Sequence, residues 1–339
     1  MTNASTDPAG PRQALFDSTD PGPGLPVCDH YAGDPARMRK SLQLQAEMGP
    51  VFDVTLDNED GAPIGGEVEH ALLISALLAS ADNRYRRVGV RLLPTGHARF
   101  GDVLSAVMDS AVPPAYLMLP KPINLAEVEQ AARAVDAAGG ASVPLHALIE
   151  THGALREVFA IAAHPRVESL SFGLMDFVSA HRGAVGQWAM TAEGQFDHPL
   201  VIRAKLEIAA ACHAHGKTPS HCVVTEFKDR RALESAAERA CNLLGYSRMW
   251  SIHPDQIRPI VEAFAPRAAE VDQAIEIIQA AQAAGWAPIS HRHGKEMRLH
   301  DRASYRYFWQ VIERAHRTSF NGGPQLPAEL CLAWFGNTP

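Results

Sequence analysis

Short apolar runs alternate with longer amphipathic stretches from residue 25 to residue 265. The runs are Leu25–His30, Val51–Asp57, Arg87–Leu93, Ala115–Leu119, Val143–Ile149, Val167–Leu174, Ser220–Thr225 and Met249–Ile252. Runs of this length between turn signals read as buried strands. The intervening stretches have helical spacing. Asn124 ahead of Leu125-Ala126-Glu127 predicts an N-cap with its capping-box acid, starting a helix toward Ala138 that Gly139-Gly140 ends. Ile202, Leu206, Ala209, Ala210 and His213 define one apolar helix face, and Leu233, Ala236, Ala237, Ala240, Leu243 and Leu244 another. Eight strands alternating with helices predict a (β/α)8 TIM barrel over residues 25–265. The rival, a doubly wound open sheet, lacks the G-x-G-x-x-G or Walker loop that would support it.

The pattern changes on either side of that region. Beyond Pro266 it predicts a helix over Glu270–Ala284, a polar loop from Ser290 to His300 and a helix over Ala303–Ala315, with no further strand. Residues 266–339 are therefore expected to form a helical C-terminal extension or lid, over the barrel mouth or against a neighbouring subunit. Residues 1–24, rich in Pro, Gly, Ser, Thr and Asp, are expected to be a disordered arm.

Composition narrows the function classes. A net charge of −7 argues against nucleic acid or an anionic membrane surface as partner. No apolar stretch reaches the roughly 18 residues of a membrane helix, and no basic segment followed by an apolar one marks a signal peptide. The five scattered cysteines form no C-x-x-C pair. These features together predict a cytoplasmic enzyme.

Catalytic groups of a barrel come from the C-terminal ends of its strands. Those ends carry Asp57, Glu59 and Asp60, then Arg91, Lys121, Glu150, Asp176, His221 and His253. Glu150 and Asp176 lie just past adjacent strands, and a buried carboxylate is costly without a partner. Together they suggest a Mg²⁺ site, since Mg²⁺ is usually held by one or two carboxylates plus substrate oxygens and water. A pair satisfied by Arg91 or Lys121 is the alternative. Arg91 suits bidentate capture of a substrate carboxylate, or else pairs with Glu59. Lys121 neutralises an anionic group or fixes its loop. His253 lines a channel or packs in the core. His291, His293 and His300 lack an acid or cysteine at metal spacing and are not read as a transition-metal site.

Several segments resemble one family. Val51 to Asp60 resembles the "DLED" turn of the citrate lyase β-subunit-like branch of the HpcH/HpaI aldolase superfamily. Val90-Arg91 resembles its "VR", Leu119-Pro120-Lys121 its "LPK", Leu148-Ile149-Glu150-Thr151 its "LIET" and Phe172 to Asp176 its "GAEDL". Ser251 to Ile257 is similar to "IHPxQI", and Gly294 to Met297 is a looser echo of "GKM". The resemblance implies a Mg²⁺-dependent carbon–carbon lyase acting on a 3-hydroxyacyl thioester of citryl- or malyl-CoA type, or on a related oxo acid, through an enolate. It implies Glu150 and Asp176 as metal ligands. Arg91 would hold a substrate carboxylate with Glu59 and Asp60 in support, and His253 would line the thioester channel. Asp301 would be the acid/base that reaches a neighbouring subunit's site. The expected catalytic set is Arg91, Glu59 and Asp301, and the expected binding set adds Asp60, Lys121 and His253. The resemblance also implies a homotrimer or homohexamer.

Departures accompany it. Asn58 stands where the family usually has Leu, Leu174-Met175 replaces Ala-Glu before the metal-binding Asp, and His221 replaces an aspartate. The substrate is therefore expected to differ from citryl thioesters. A malyl-CoA-type thioesterase or synthase, and a non-catalytic binding subunit, are the other readings.

Overall fold

The computed structural model describes residues 10–17, 24–294, 296–320 and 326–336, apart from the side chain of His293. Eight strands close into one parallel barrel in sequence order. They are β1 Cys28–Ala32, β2 Phe52–Asp57, β3 Val88–Arg91, β4 Leu117–Leu119, β5 Leu145–Ile149, β6 Val167–Phe172, β7 Thr218–His221 and β8 Arg248–Ser251. Each expected run contains or overlaps one of them. Pairing of β1 with β8 shuts the ring, with His30 opposite Ser251. The chain thus folds as a (β/α)8 TIM barrel.

Side chains alternate in direction along a strand, so every second residue enters the bore. On β2 this sends Asp53, Thr55 and Asp57 inward as a column. The bore is filled in layers. At its base Arg248 meets Asp53 at 2.5 Å and Asp29 at 3.0 Å, all with no solvent exposure. Tyr116 donates to Asp29 at 2.9 Å and stacks on His146 at 3.9 Å. Gly89 leaves room for that phenol, because a Cβ there would lie 2.2 Å from the ring. Above sits an apolar layer of Tyr31, Met118, Leu148 and Trp250. The acids of the strand ends lie above that.

Outer helices bury one face each. Asn124 caps the helix Leu125–Ala137 by accepting from the Glu127 N–H. Glu127 does not close the expected box, and its carboxylate accepts from the Ile123 N–H instead, at 2.8 Å. The helix Pro199–Ala214 buries Val201, Lys205, Ile208 and Cys212. This corrects the expected face, since Leu206 is 48% exposed. The helix is apolar most of the way round, so two stripes competed and the one containing a lysine went inside. On the helix Arg230–Leu244, Leu233, Ala236, Ala237 and Ala240 are buried as expected, but Leu243 is exposed.

Residues 25–264 form one compact unit; the described residues within 1–24 and 265–339 form another. In the second unit the helices Ala268–Ala283 and Arg302–Arg317 pack through Ile277, Ile278, Tyr305, Trp309 and Ile312. The expected polar loop is instead an antiparallel hairpin, β9 Ile289–His293 with β10 Glu296–His300. Its turn passes through Gly294 in the left-handed region, φ 57°. Most of the expected disordered arm lies outside the described residues. Within it, Pro11–Leu15 is a short helix whose Leu15 joins the core of this unit, which corrects the expectation there. Lys295 of the "GKM" echo also lies outside the described residues. Among the described residues no helix is long and apolar enough to cross a membrane.

Candidate active site

The turn after β2 is built around Asp57. Its carboxylate accepts from the Glu59 N–H at 2.9 Å and the Gly61 N–H at 2.8 Å. It also takes a two-point bond from Arg91, Nε at 2.6 Å and Nη2 at 2.5 Å. A Cβ at Gly61 would lie 2.3 Å from Asp57 Oδ2, so the turn closes only over a glycine. Asp57 was expected at a strand end but without a role, and the partner expected for Arg91 was Glu59. Arg91 Nη1 also lies 3.1 Å from Glu59 Oε2, and the guanidinium sits over the Tyr31 ring. Burial alone would lower the Arg91 pKa, but the bonds and charge of Asp57, then Glu59, hold it above its ordinary range. Three of its five N–H groups face these acids.

Asp60 partners Lys121 rather than Arg91. Lys121 Nζ lies 2.5 Å from Glu59 Oε1, 2.7 Å from Asp60 Oδ2 and 3.7 Å from Asp176 Oδ1. Burial works against the charge, but the bonds to Asp60 and Glu59 keep the ammonium above its ordinary pKa. The Lys121 backbone has φ 51°, a region that costs a residue with a Cβ about 1–2 kcal/mol.

Glu150 follows β5 and is 2% exposed. Its Oε1 accepts from the Lys121 backbone N–H at 2.8 Å. Gly173, after β6, is the floor beneath it, because a Cβ there would lie 2.1 Å from Glu150 Oε2. Burial, then the charge of Asp176, push the Glu150 carboxyl well above its ordinary range. Asp176 is on the first turn of the helix Leu174–Ser179 and is half-exposed. The structure therefore gathers Glu59, Asp60, Arg91, Lys121, Glu150 and Asp176 at one mouth. Among the described residues no three His, Cys, Asp or Glu side chains form a ready-made metal cage. Two carboxylates, one of them buried and pushed up by burial and by the other's charge, suit a hard cation that completes its shell with substrate oxygens and water.

His253 stacks on Phe227 at 4.9 Å. Its loop is clamped by Gln256, which is fully buried. Gln256 Oε1 accepts from the Ile252 N–H at 2.9 Å and the His253 N–H at 3.2 Å, and its Nε2 donates to the Val224 carbonyl at 2.8 Å. Gln256 explains the glutamine of the "IHPxQI" segment, which sequence reasoning left without a role. His221 points away from the mouth, between Phe196 and Tyr246. Burial, then Lys205, hold it well below its ordinary pKa, so it is a neutral core residue. Asn58 is buried, with its N–H donating to the Arg91 carbonyl at 3.1 Å. Asp301, in the other unit, caps the helix Arg302–Arg317 by accepting from Ala303 and Ser304.

No family model matches the chain. A solved structure of a citrate lyase from Burkholderia xenovorans LB400 is 49% identical, covers 96% of this chain and 99% of that chain, and has a TM-score of 0.79. The chain belongs to the citrate lyase β-subunit-like branch of the HpcH/HpaI aldolase superfamily. Other proteins match at lower identity. The L-malyl-CoA/β-methylmalyl-CoA lyase of Rhodobacter capsulatus is 27% identical over 266 residues, which span 74% of this chain and 81% of that protein. The (3S)-malyl-CoA thioesterase of Cereibacter sphaeroides is 26% identical over 283 residues, 82% of this chain and 87% of that protein. The CitE protein of Mycobacterium tuberculosis, solved with magnesium, acetoacetate and coenzyme A, shares the fold at 20% identity and a TM-score of 0.65, covering 87% of this chain and 98% of that chain.

Proposed function

We propose that this citrate lyase-like chain is a Mg²⁺-dependent carbon–carbon lyase that cleaves, or forms, a 3-hydroxyacyl-CoA of malyl-CoA type. The observation that carries the reading is the pair Glu150 and Asp176, one buried and repelled by the other, opening beside Arg91 and Lys121. Glu150 and Asp176 would hold the ion. Bound there, Mg²⁺ supplies Lewis-acid stabilisation of an enolate oxygen. Arg91, fixed by Asp57, presents its remaining N–H groups to a substrate carboxylate. Glu59 and Asp301 are the candidates for proton transfer, Asp301 from a neighbouring subunit of a trimer or hexamer. The Gln256-clamped loop of His253 would line the thioester channel. Residues 266–339 would be the helical C-terminal extension or lid. The buried thiols Cys28, Cys212 and Cys222 suit a cytoplasmic location.

The test has two parts. Mg²⁺ should raise the melting temperature of wild type but not of the Glu150→Ala, Asp176→Ala double variant; equal shifts would sink the metal pair. Incubation with citryl-, malyl- and methylmalyl-CoA should release an oxo acid and a shorter acyl thioester. The similarity to a thioesterase favours a second reading, for which the products would be the free acid and free CoA.

A further inference from the structure

Lys121 touches both proposed metal ligands through different atoms. Its backbone N–H donates to Glu150 Oε1 at 2.8 Å, while its ammonium lies 3.7 Å from Asp176 Oδ1. The same ammonium bonds Glu59 and Asp60. The strained backbone, φ 51°, aims the two ends of one residue at four carboxylates. Around it, five acids (Asp57, Glu59, Asp60, Glu150 and Asp176) face two fixed cations, Arg91 and Lys121.

We propose that the Lys121 ammonium is the resident cation of this mouth and sets the affinity for the divalent ion by competing with it for Asp176. The inference rests on reading Glu150 and Asp176 as the metal pair. Two like charges sharing one carboxylate repel each other across a short distance. As the ion binds, Lys121 withdraws onto Glu59 and Asp60, which already hold it more closely than Asp176 does. Lys121 thereby keeps the acidic mouth assembled at low Mg²⁺ and makes the ion exchangeable. A residue serving only to orient Glu150 would act through its backbone, and its charge would not matter.

Calorimetric titration of Mg²⁺ into wild type, Lys121→Met, Lys121→Gln and Lys121→Arg separates these roles. The neutral variants should bind Mg²⁺ on the order of tenfold more tightly, and Lys121→Arg should stay close to wild type. Unchanged or weaker binding by folded neutral variants overturns the proposal. In wild type with isotope-labelled lysine, the Lys121 side-chain resonance should move as Mg²⁺ is added. A resonance that stays put while Mg²⁺ binds also overturns it, whether or not the variants fold. Absence of Mg²⁺ binding by wild type instead overturns the metal reading, and this inference with it.

Discussion

Single residues in this chain are decided by what surrounds them. Gly173 has an ordinary φ of −92°, so nothing about its backbone demands glycine. What demands it is Glu150 Oε2, 2.1 Å from where a Cβ would sit. Gly173→Ala should therefore displace the Glu150 carboxylate, abolish stabilisation by Mg²⁺ and cut turnover by roughly 10²-fold, the usual effect of a displacement near 1 Å. Melting with and without Mg²⁺, beside a product assay, checks this; a normal Mg²⁺ shift would refute it. Lys205 is the opposite case, a charge buried away from the mouth. Its Nζ donates to Gln195 at 2.8 Å and sits 3.9 Å from the Phe196 ring centroid, and burial lowers its pKa from 10.5 to about 8. The folded state thus binds fewer protons here than the unfolded state between those values, so stability rises with pH from about 8 to 10.5. The gain is on the order of 3 kcal/mol. Lys205→Met should be free of the penalty at neutral pH and should flatten the rise, as read from urea midpoints across that range. A wild-type curve that is flat there would show that Lys205 keeps its ordinary pKa.

At the scale of elements, length and period carried most of the information. Every apolar run became a barrel strand, because a strand buried on both faces has no polar alternation to confuse it with a loop. The hairpin β9–β10 escaped notice because its strands are mostly polar and mostly exposed, leaving Gly294 as the one strong signal. Helix ends were legible where a side chain caps them, as at Asn124, but the buried face of Pro199–Ala214 was not, since a lysine proved part of it. Capping also complicates the proposed role of Asp301. Its carboxylate bonds the N–H groups of Ala303 and Ser304, so removing it costs about 1 kcal/mol whatever else it does. Asp301→Asn keeps the cap and removes the acid. If Asp301 transfers a proton, Asn and Ala variants should lose activity equally while only Ala loses about 1 kcal/mol in urea unfolding. Full activity in Asp301→Asn would confine this residue to ending a helix.

Across the whole barrel, closure brings together residues that no sequence window contains. Asp29 on β1 and Arg248 on β8 meet because the first strand pairs with the last. Neither was singled out from the sequence, where they sit as isolated charges at the edges of apolar runs. The mouth was more legible, because its acids and cations follow strands whose ends could be located. What the spacing could not tell was which acid pairs with which cation, since that depends on barrel stagger, and so Asp57 was overlooked as the partner of Arg91. The base is where the fold's ionic stability resides. Arg248 bonds Asp53 and the Pro26 carbonyl and lies 3.0 Å from Asp29. Burial would push the Asp53 carboxyl up, but Arg87 and then Arg248 hold it below its ordinary range. Arg248→Met would leave the buried Asp29 without its cation and Asp53 with Arg87 alone, a loss of about 3–5 kcal/mol. Adding Asp29→Asn should recover part of that, because the stranded charge rather than the lost bond is the larger cost. Asp53 lies four residues before Asp57 on β2, about 13 Å along the strand. Whatever fraction of Arg248→Met stays folded should therefore bind Mg²⁺ normally. Urea unfolding of the single and double variants, with Mg²⁺ titration of the folded protein, reads both outcomes. A loss below about 1 kcal/mol for Arg248→Met would mean that water reaches the base of the bore and screens its charges.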